Sequence, residues 1–236
     1  MNITRRMSPN RNVGRQGHTP DLIVLHTTGN TTQSAINTVL NPTSAVSYHF
    51  IVSRTGDVTQ TVEITDTAWA NGTNNTAGDG RNNQNSTLPI VRQRRINANL
   101  YTVSIGFGDM PTGNPSEAQL ATVVNLIQHI RGEVLRLFRH DIAITRTTIV
   151  GHNVITPVTK PDCPGRTFPW GELFSRLSPA APPSPIEPVP GLSHWAREAW
   201  EWATTNRITD GTNPQGTPSR EQMVTLLHNY HMNVRR

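Results

Sequence analysis

Two histidines and one cysteine stand where a metal-dependent hydrolytic site could be assembled. His26 ends the apolar run DLIVLH, His152 ends TTIVGH, and Cys163 follows in the proline-containing loop TKPDCPGR. Two imidazoles and a thiolate are suitable zinc ligands, and three protein ligands leave a fourth coordination position for water. A water bound in this way has its pKa lowered towards about 7 and can attack a carbonyl group. Because His26 is far from the other two in sequence, the spacing argues against a zinc finger and favours a catalytic-type site.

The loop that contains Cys163 also contains the only lysine of the chain, Lys160, three residues earlier. An ammonium is a compact charge that can point at one developing oxyanion, whereas the planar fork of arginine has a different geometry. Each of these residues also has an ordinary structural explanation. A histidine at a strand end is commonly structural, and a buried cysteine commonly acts as a small hydrophobe. Spacing alone therefore makes only a modest case for zinc.

The elements that would position these residues alternate between strand-like and helix-like patterns. Strand-like segments lie at 21–26, 45–53, 101–107 and 147–152, and helical patterns lie at 32–40 and 115–140. Ser116 and Gln119 form a capping-box pair at the start of the longer helix. Its apolar face consists of Leu120, Val123, Val124, Ile127, Ile130, Val134, Leu137 and Phe138. Strands interleaved with helices predict an α/β domain with a mixed central β-sheet flanked by helices.

Proline and glycine content divides the chain. Residues 181–191, APPSPIEPVPG, contain five prolines and predict a stiff, extended linker. It separates a domain at 1–180 from a small helical module at 192–236. Within the domain, the Asn- and Gly-rich segment 71–89 predicts a surface loop along a substrate groove.

Composition and charge exclude some classes of protein and favour others. A single cysteine excludes an internal disulfide, and no apolar run is long enough for a membrane span. The N-terminal residues lack the apolar core of a signal peptide. A net charge of +5 favours an anionic partner. An anionic polymer such as bacterial cell wall fits this charge as well as nucleic acid does. The arginines are scattered apart from RQRR at 92–95, and no nucleic-acid motif accompanies them, so a nucleic-acid-binding protein is not supported.

Four motifs in order, LIVLHTT, SAVSYHFIVSRTGDVTQ, TVSIGFG and GHNVITPVTKPDCPGRTFPW, carry a family resemblance. They resemble the zinc amidase family that includes peptidoglycan recognition proteins and the amidase-type lysozymes of phages. The resemblance covers most of the chain before the linker. It implies that His26, His152 and Cys163 bind Zn²⁺, that Tyr48 orients or assists the attacking water, and that Lys160 stabilises the oxyanion.

The sequence departs from the family pattern at two places. Some members have a glutamate general base where this chain has Gly108, which leaves Tyr48, or a metal hydroxide without a carboxylate, to handle the proton. The family lysine often stands two residues before the third ligand, so Asp162 is an alternative to Cys163. Cys163 is favoured because Pro-Gly follows it directly and a thiolate binds zinc more strongly than one carboxylate.

The module at 192–236 predicts two short helices with aromatic residues. The first helix has Trp195, Ala199 and Trp202 on one face, and the second has Met223, Leu226, Leu227 and Tyr230. Thr217 and Pro218 are the predicted N-cap and first helical residue of the second helix. The pattern resembles a single surface-layer-homology-like repeat, a type of module found attached to cell walls. The alternative is that the aromatic residues form a small core or dock on the first domain.

The resemblance as a whole implies an N-acetylmuramoyl-L-alanine amidase that acts on bacterial peptidoglycan. It would cleave the amide between N-acetylmuramic acid and L-alanine of the stem peptide with zinc-activated water. The size, the tail and the lack of a signal peptide favour a phage endolysin, held in the host cytoplasm before release. A bacterial autolysin and a non-catalytic peptidoglycan-binding protein are the alternatives.

Overall fold

The structure, a computed structural model, describes residues 2–110, 113–177, 192–206, 208–209, 212–213 and 215–234. The chain divides into two compact units, Met1–Leu177 and Ser178–Arg236. The predicted linker at 181–191 lies outside the described residues, and the functions assigned to the two domains stay predictions. Within the described ranges, no helix is both long and apolar enough to cross a membrane.

The first unit contains eight strands, β1 (Ile3–Arg5), β2 (Arg11–Asn12), β3 (Leu22–Thr27), β4 (Phe50–Val52), β5 (Val58–Gln60), β6 (Thr67–Ala68), β7 (Thr102–Phe107) and β8 (Ile149–Gly151), within the residues described. Six of them form a mixed sheet at its centre, with strand order β1-β5-β4-β7-β3-β8. Strands β4 and β5 pair antiparallel, and the other neighbours in this sheet pair parallel. A separate antiparallel pair joins β2 to β6.

Helices flank this sheet, which confirms the predicted fold class. In the first unit they are α1 (Thr32–Leu40), α2 (Pro89–Arg94), α3 (Glu117–Phe138), α4 (His152–Ile155) and α5 (Trp170–Leu177). The second unit contains its own two helices, α6 (Arg197–Thr205) and α7 (Arg220–Val234). Short 3₁₀ helices lie at Asn83–Asn85, Ala98–Tyr101 and His194–Ala196.

Strand β3 shows how the two faces of the sheet are buried. Ile23 and Leu25 belong to a core that includes the buried face of α3. Leu22 and Val24 belong to a second core, which includes residues of α2 and of the segment before β7. Because side chains alternate along a strand, His26 lies on the same face as Leu22 and Val24.

Helix α3 begins as the sequence predicts. The hydroxyl of Ser116 accepts from the Gln119 N–H, and the Gln119 side chain accepts from the Ser116 N–H, which completes the capping box. The buried stripe differs from the predicted face at two positions. Leu126 is fully buried, whereas Leu137, beyond the last buried residue of the stripe, is 38% exposed.

The predicted strand at 45–53 is shorter in the structure. β4 begins only at Phe50, because Ala45 has a left-handed φ of 52° and the chain before Phe50 does not extend regularly. This irregular segment is held by other contacts, among them the Ser47 N–H to Trp69 O and the His49 N–H to Ser104 O, at 3.3 and 3.0 Å. Tyr48 therefore precedes the strand and does not belong to it.

The second unit has little interior of its own. Ile208 is its one buried apolar residue within the part of the chain that the structure describes. Trp195 is 85% exposed, and Trp202 and Tyr230 lie with ring centroids 6.3 Å apart. Helix α7 begins two residues later than predicted, because the Ser219 hydroxyl accepts from the Gln222 N–H and takes the capping role expected of Thr217.

Candidate metal centre

The register of the sheet places the two histidines side by side. His26 is the second-last residue of β3 and pairs with Gly106 of β7. Its neighbour Leu25 pairs with Gly151, the last residue of β8, so His152 follows directly at the level of His26. The carboxyl ends of two adjacent parallel strands thus bring together residues that are distant in sequence.

Close backbone packing at Gly151 brings the cysteine loop to the histidines. A Cβ added at Gly151 would lie 2.6 Å from Pro164 Cδ and 3.0 Å from the Cys163 carbonyl oxygen. The same carbonyl accepts from the Asn153 N–H at 2.9 Å. Gly151 is therefore required by the approach of this loop, and it fixes Cys163 next to the start of α4.

The metal-binding atoms of His26, His152 and Cys163 converge within 4.8 Å of one another. Cys163 Sγ lies 3.9 Å from His26 Nδ1, and the two imidazole centroids are 4.6 Å apart. A tetrahedral zinc with ordinary bond lengths separates its nitrogen and sulfur ligands by roughly 3.5 Å. The donor set and its spacing therefore fit a zinc ion.

Burial sets the protonation of this cluster. Burial, with the nearby charges of His152 and Lys160, holds the pKa of His26 well below its usual range. Burial and Lys160 lower the pKa of His152 to about 4. Both rings are thus neutral at neutral pH, the form in which imidazole binds metals. Burial raises the pKa of the Cys163 thiol to about 11, so metal binding must displace the thiol proton.

Tyr48 packs against this cluster. Its ring centroid lies 5.2 Å from that of His26. A Cβ added at Gly106 would lie 3.2 Å from the Tyr48 ring, so the glycine of SIGF makes room for this tyrosine. Burial, with the nearby Cys163, raises the pKa of Tyr48, which favours the neutral phenol.

Buried polar contacts that the sequence did not indicate hold His49, the residue that follows Tyr48. Arg15 is only 4% exposed, and its Nη2 lies 2.8 Å from His49 Nε2. His49 Nδ1 accepts from the Ser104 N–H at 3.0 Å. Burial lowers the pKa of Arg15 to about 9. No local pattern could have revealed this contact, because Arg15 and His49 lie in loops far apart in sequence.

Lys160 lies at an open depression beside the cluster. The depression has a volume of about 410 Å³ and is lined by Thr27, Gly113 and the loop 160–167. The Lys160 side chain is exposed, and its backbone N–H donates to the Thr156 carbonyl at 2.9 Å. The loop thus places a cation and Cys163 on one concave surface.

The two departures from the family pattern have distinct structural outcomes. Asp162 lies outside the cluster, and its Oδ1 accepts from Arg166 Nε at 2.6 Å. A Cβ added at Gly108 would lie 2.6 Å from Thr32 Cα, so no side chain fits there without backbone movement. The structure therefore favours Cys163 over Asp162, and it excludes a carboxylate at position 108 in this backbone.

The Asn-rich segment 71–89 supports the loop that carries these residues. The Ser86 hydroxyl donates to the Val154 carbonyl at 2.7 Å. A Cβ added at Gly80 would lie 2.9 Å from Thr159 Cγ2. This segment, predicted to lie along a substrate groove, thus contacts Val154 in α4 and Thr159, the residue before Lys160.

The fold and the cluster define an α/β protein with a His-His-Cys candidate metal centre at one end of its sheet. The chain belongs to the N-acetylmuramoyl-L-alanine amidase family, whose sequence profile matches residues 16–166. That match includes His26, Tyr48, His152, Lys160 and Cys163. Comparison with curated protein sequences gives no significant match.

Solved structures share the fold of the first unit. A selenomethionine derivative of AmpD is 18% identical and has a TM-score of 0.53, covering 75% of this chain and 94% of its own. A mutant form of PlyL is 17% identical with a TM-score of 0.50, covering 75% and 98%. A mutant endolysin from Bacillus subtilis is 19% identical with a TM-score of 0.49, covering 75% and 99%. At these identities the first two show a shared fold alone, and the likeness to the third is too weak to add to it.

Proposed function

We propose that this protein is a zinc-dependent N-acetylmuramoyl-L-alanine amidase that hydrolyses peptidoglycan. The bond cleaved is the amide between the lactyl group of N-acetylmuramic acid and L-alanine of the stem peptide. The observation that carries the proposal is the convergence of His26, His152 and Cys163 within 4.8 Å, inside the family match. A non-catalytic binding protein of the same fold would have no need of this complete ligand set.

His26, His152 and Cys163 are the residues that would hold the zinc. When bound, zinc supplies Lewis-acid chemistry, polarising an amide carbonyl and lowering the pKa of water. The neutral imidazoles support this assignment, since imidazole binds metals in its neutral form.

Lys160 and Tyr48 have separate roles in the proposed reaction. The Lys160 ammonium lines the same depression as Cys163 and stabilises the negative charge that develops on the carbonyl oxygen. The Tyr48 phenol, packed on His26, orients the attacking water by hydrogen bonding. Position 108 contributes no general base, because the approach of Thr32 leaves no room for a carboxylate.

The second unit is proposed to bind the cell wall, and the whole chain to be a phage endolysin. Wall binding is supported by exposed aromatic side chains in a unit with almost no core: Trp195 is 85% and Trp202 47% exposed. Aromatic rings with a free face suit contact with sugars or peptides outside the unit. A bacterial autolysin would use the same two units, and only its origin would differ.

Digestion of purified peptidoglycan tests the reaction, with mass analysis of the fragments. The expected products are intact glycan strands and free stem peptides that begin with L-alanine. Zinc content is measured on the same preparation, with about one ion per chain expected. Fragments cut between sugars or within the peptide would overturn the assignment, and full activity without metal would overturn the role of zinc.

A further inference from the structure

A basic surface lies at the amino-terminal end of strand β3. Asp21, which precedes the strand, contacts Arg94 Nη1 at 2.5 Å and His140 Nε2 at 3.0 Å. Because Arg94 ends α2 and His140 follows α3, this shared carboxylate brings the ends of the two helices side by side. Arg95 and Arg139 are the adjacent residues, and we call the set of Arg94, Arg95, Arg139 and His140 the basic end.

Two arginines of the basic end occupy an unusual backbone conformation. Arg95 directly follows α2 with a φ of 54°, and Arg139 directly follows α3 with a φ of 55°. This left-handed region favours glycine or asparagine after a helix, and other residues are strained there. The backbone conformation therefore does not explain why arginine occupies both positions.

Neighbouring arginines are neutralised, whereas these two are not. Arg131 pairs with Asp141 and Arg136 pairs with Glu133, at 2.8 and 2.6 Å. Across the residues that the structure describes, neither Arg95 nor Arg139 has a carboxylate within 4.0 Å, and both are exposed. The basic end thus presents two uncompensated guanidinium groups beside the shared Arg94–Asp21–His140 contact.

The excess of positive charge in this chain lies in the first unit, which contains the basic end. Residues 1–177 contain 16 Lys and Arg against 11 Asp and Glu, whereas residues 178–236 contain five of each. The basic end is also remote from the candidate metal centre, because the five residues from Asp21 to His26 extend along β3 for roughly 16 Å. A long polyanion can therefore occupy it without covering the depression beside Cys163.

We propose that the basic end binds a linear, phosphate-bearing polymer of the cell wall. Guanidinium groups match phosphate oxygens in pairs and are weakly hydrated, which makes them suited to this contact. Binding there retains the enzyme on the wall while the opposite end of the sheet remains free. The choice of a wall polymer over other polyanions rests on the proposed function.

The test uses the full-length chain and a double variant, Arg95→Gly with Arg139→Gly. The probe is poly(glycerol phosphate), titrated at several salt concentrations, with duplex DNA of equal phosphate content as a competitor. We expect the double variant to lose about tenfold or more in affinity, and the slope of log K against log salt to fall by about two. Its melting temperature should remain within a few degrees, because glycine is unstrained at both positions.

A matched pair, Arg54→Gln with Arg197→Gln, removes two exposed charges that lie outside the basic end and should retain most of the affinity. The proposal is overturned if the wild-type chain does not bind the probe, if both double variants lose affinity equally, or if duplex DNA is strongly preferred. It is also overturned if the glycine variant melts lower yet binds normally, since the arginines would then only complement the helix dipoles. Cleavage of soluble muropeptides, measured in parallel, reports on the proposed amidase separately and should not change.

Discussion

The two units of this chain differ in how completely they bury their apolar residues. In Met1–Leu177, both faces of the sheet are covered, and Phe50 and Phe107 are fully buried. In Ser178–Arg236, Trp195 and Leu227 are 85% and 69% exposed. A site whose ligand atoms must converge to within a few ångströms needs a rigid surround, whereas adhesion needs accessible side chains. The difference supports the proposed division, in which the first unit carries out the chemistry and the second contacts the wall.

Removal of the thiolate should have the largest effect on the first unit. Cys163→Ser should lose bound zinc and reduce peptidoglycan hydrolysis to background, because a neutral hydroxyl is a poor substitute for a thiolate. The variant should also melt at a lower temperature than the zinc-loaded wild type, since metal binding contributes to folding free energy. Metal analysis, turbidity of cell walls and calorimetry measure the three effects.

Asp162→Asn is the matched control in the same loop. The Asp162 carboxylate faces Arg166, so this variant should keep its zinc. A Cys163→Ser protein with full zinc beside an Asp162→Asn protein with none would show that Asp162 is the ligand.

The next effect in size concerns the only lysine. Lys160→Arg should lower kcat on the order of 10²-fold, the usual scale for loss of one oxyanion donor. Zinc content and melting temperature should be unchanged, because the Lys160 side chain is exposed and lies outside the cluster of ligand atoms. Steady-state kinetics on a soluble muropeptide separate kcat from KM. A change confined to KM would assign Lys160 to substrate binding instead.

A third change tests how tightly the first unit is packed. Gly108→Glu should not supply a general base, and it should destabilise the fold by about 1–3 kcal/mol or more, because its Cβ has no room beside Thr32. Gly132→Ala in α3 is the control, since a Cβ there meets no atom within 4 Å and should stabilise the helix. Chemical denaturation measures both. Higher activity in the glutamate variant would contradict the structure.

Local sequence patterns predict part of this architecture well. The run around His26, predicted as a strand at 21–26, is β3 (Leu22–Thr27), and the capping box of α3 is present. These features depend on neighbours in sequence. The same is not true of the contact between Gly113 and Gly165, where an added Cβ would lie 2.5 Å from the opposing Cα. Such a contact depends on two loops meeting in space, as does the Arg15–His49 contact. The hydrophobic periodicity of the sequence therefore does not predict either contact.

Shortening the chain tests the division of labour directly. A chain that ends at Pro179 should cleave soluble muropeptides at the wild-type rate, because every residue of the candidate metal centre precedes this point. It should sediment less with intact cell walls, because it lacks the second unit. A second wall-binding site on the same chain raises the effective concentration of the wall at the first site. Equal sedimentation of the short and full-length chains would remove the adhesive role of the second unit.

The smallest expected effect on stability is that of an exposed tryptophan. Trp195→Ala should change the free energy of unfolding by no more than about 0.5 kcal/mol, because the side chain is 85% exposed. Phe50→Ala, the counterpart in the first unit, should cost about 3–5 kcal/mol, because it leaves a cavity in a fully buried core. Trp195→Ala should nevertheless weaken sedimentation with cell walls while hydrolysis of soluble muropeptides is unchanged. A large loss of stability would instead mean that Trp195 is covered by protein in solution, and the aromatic residues of the second unit would then form a core and not an adhesive surface.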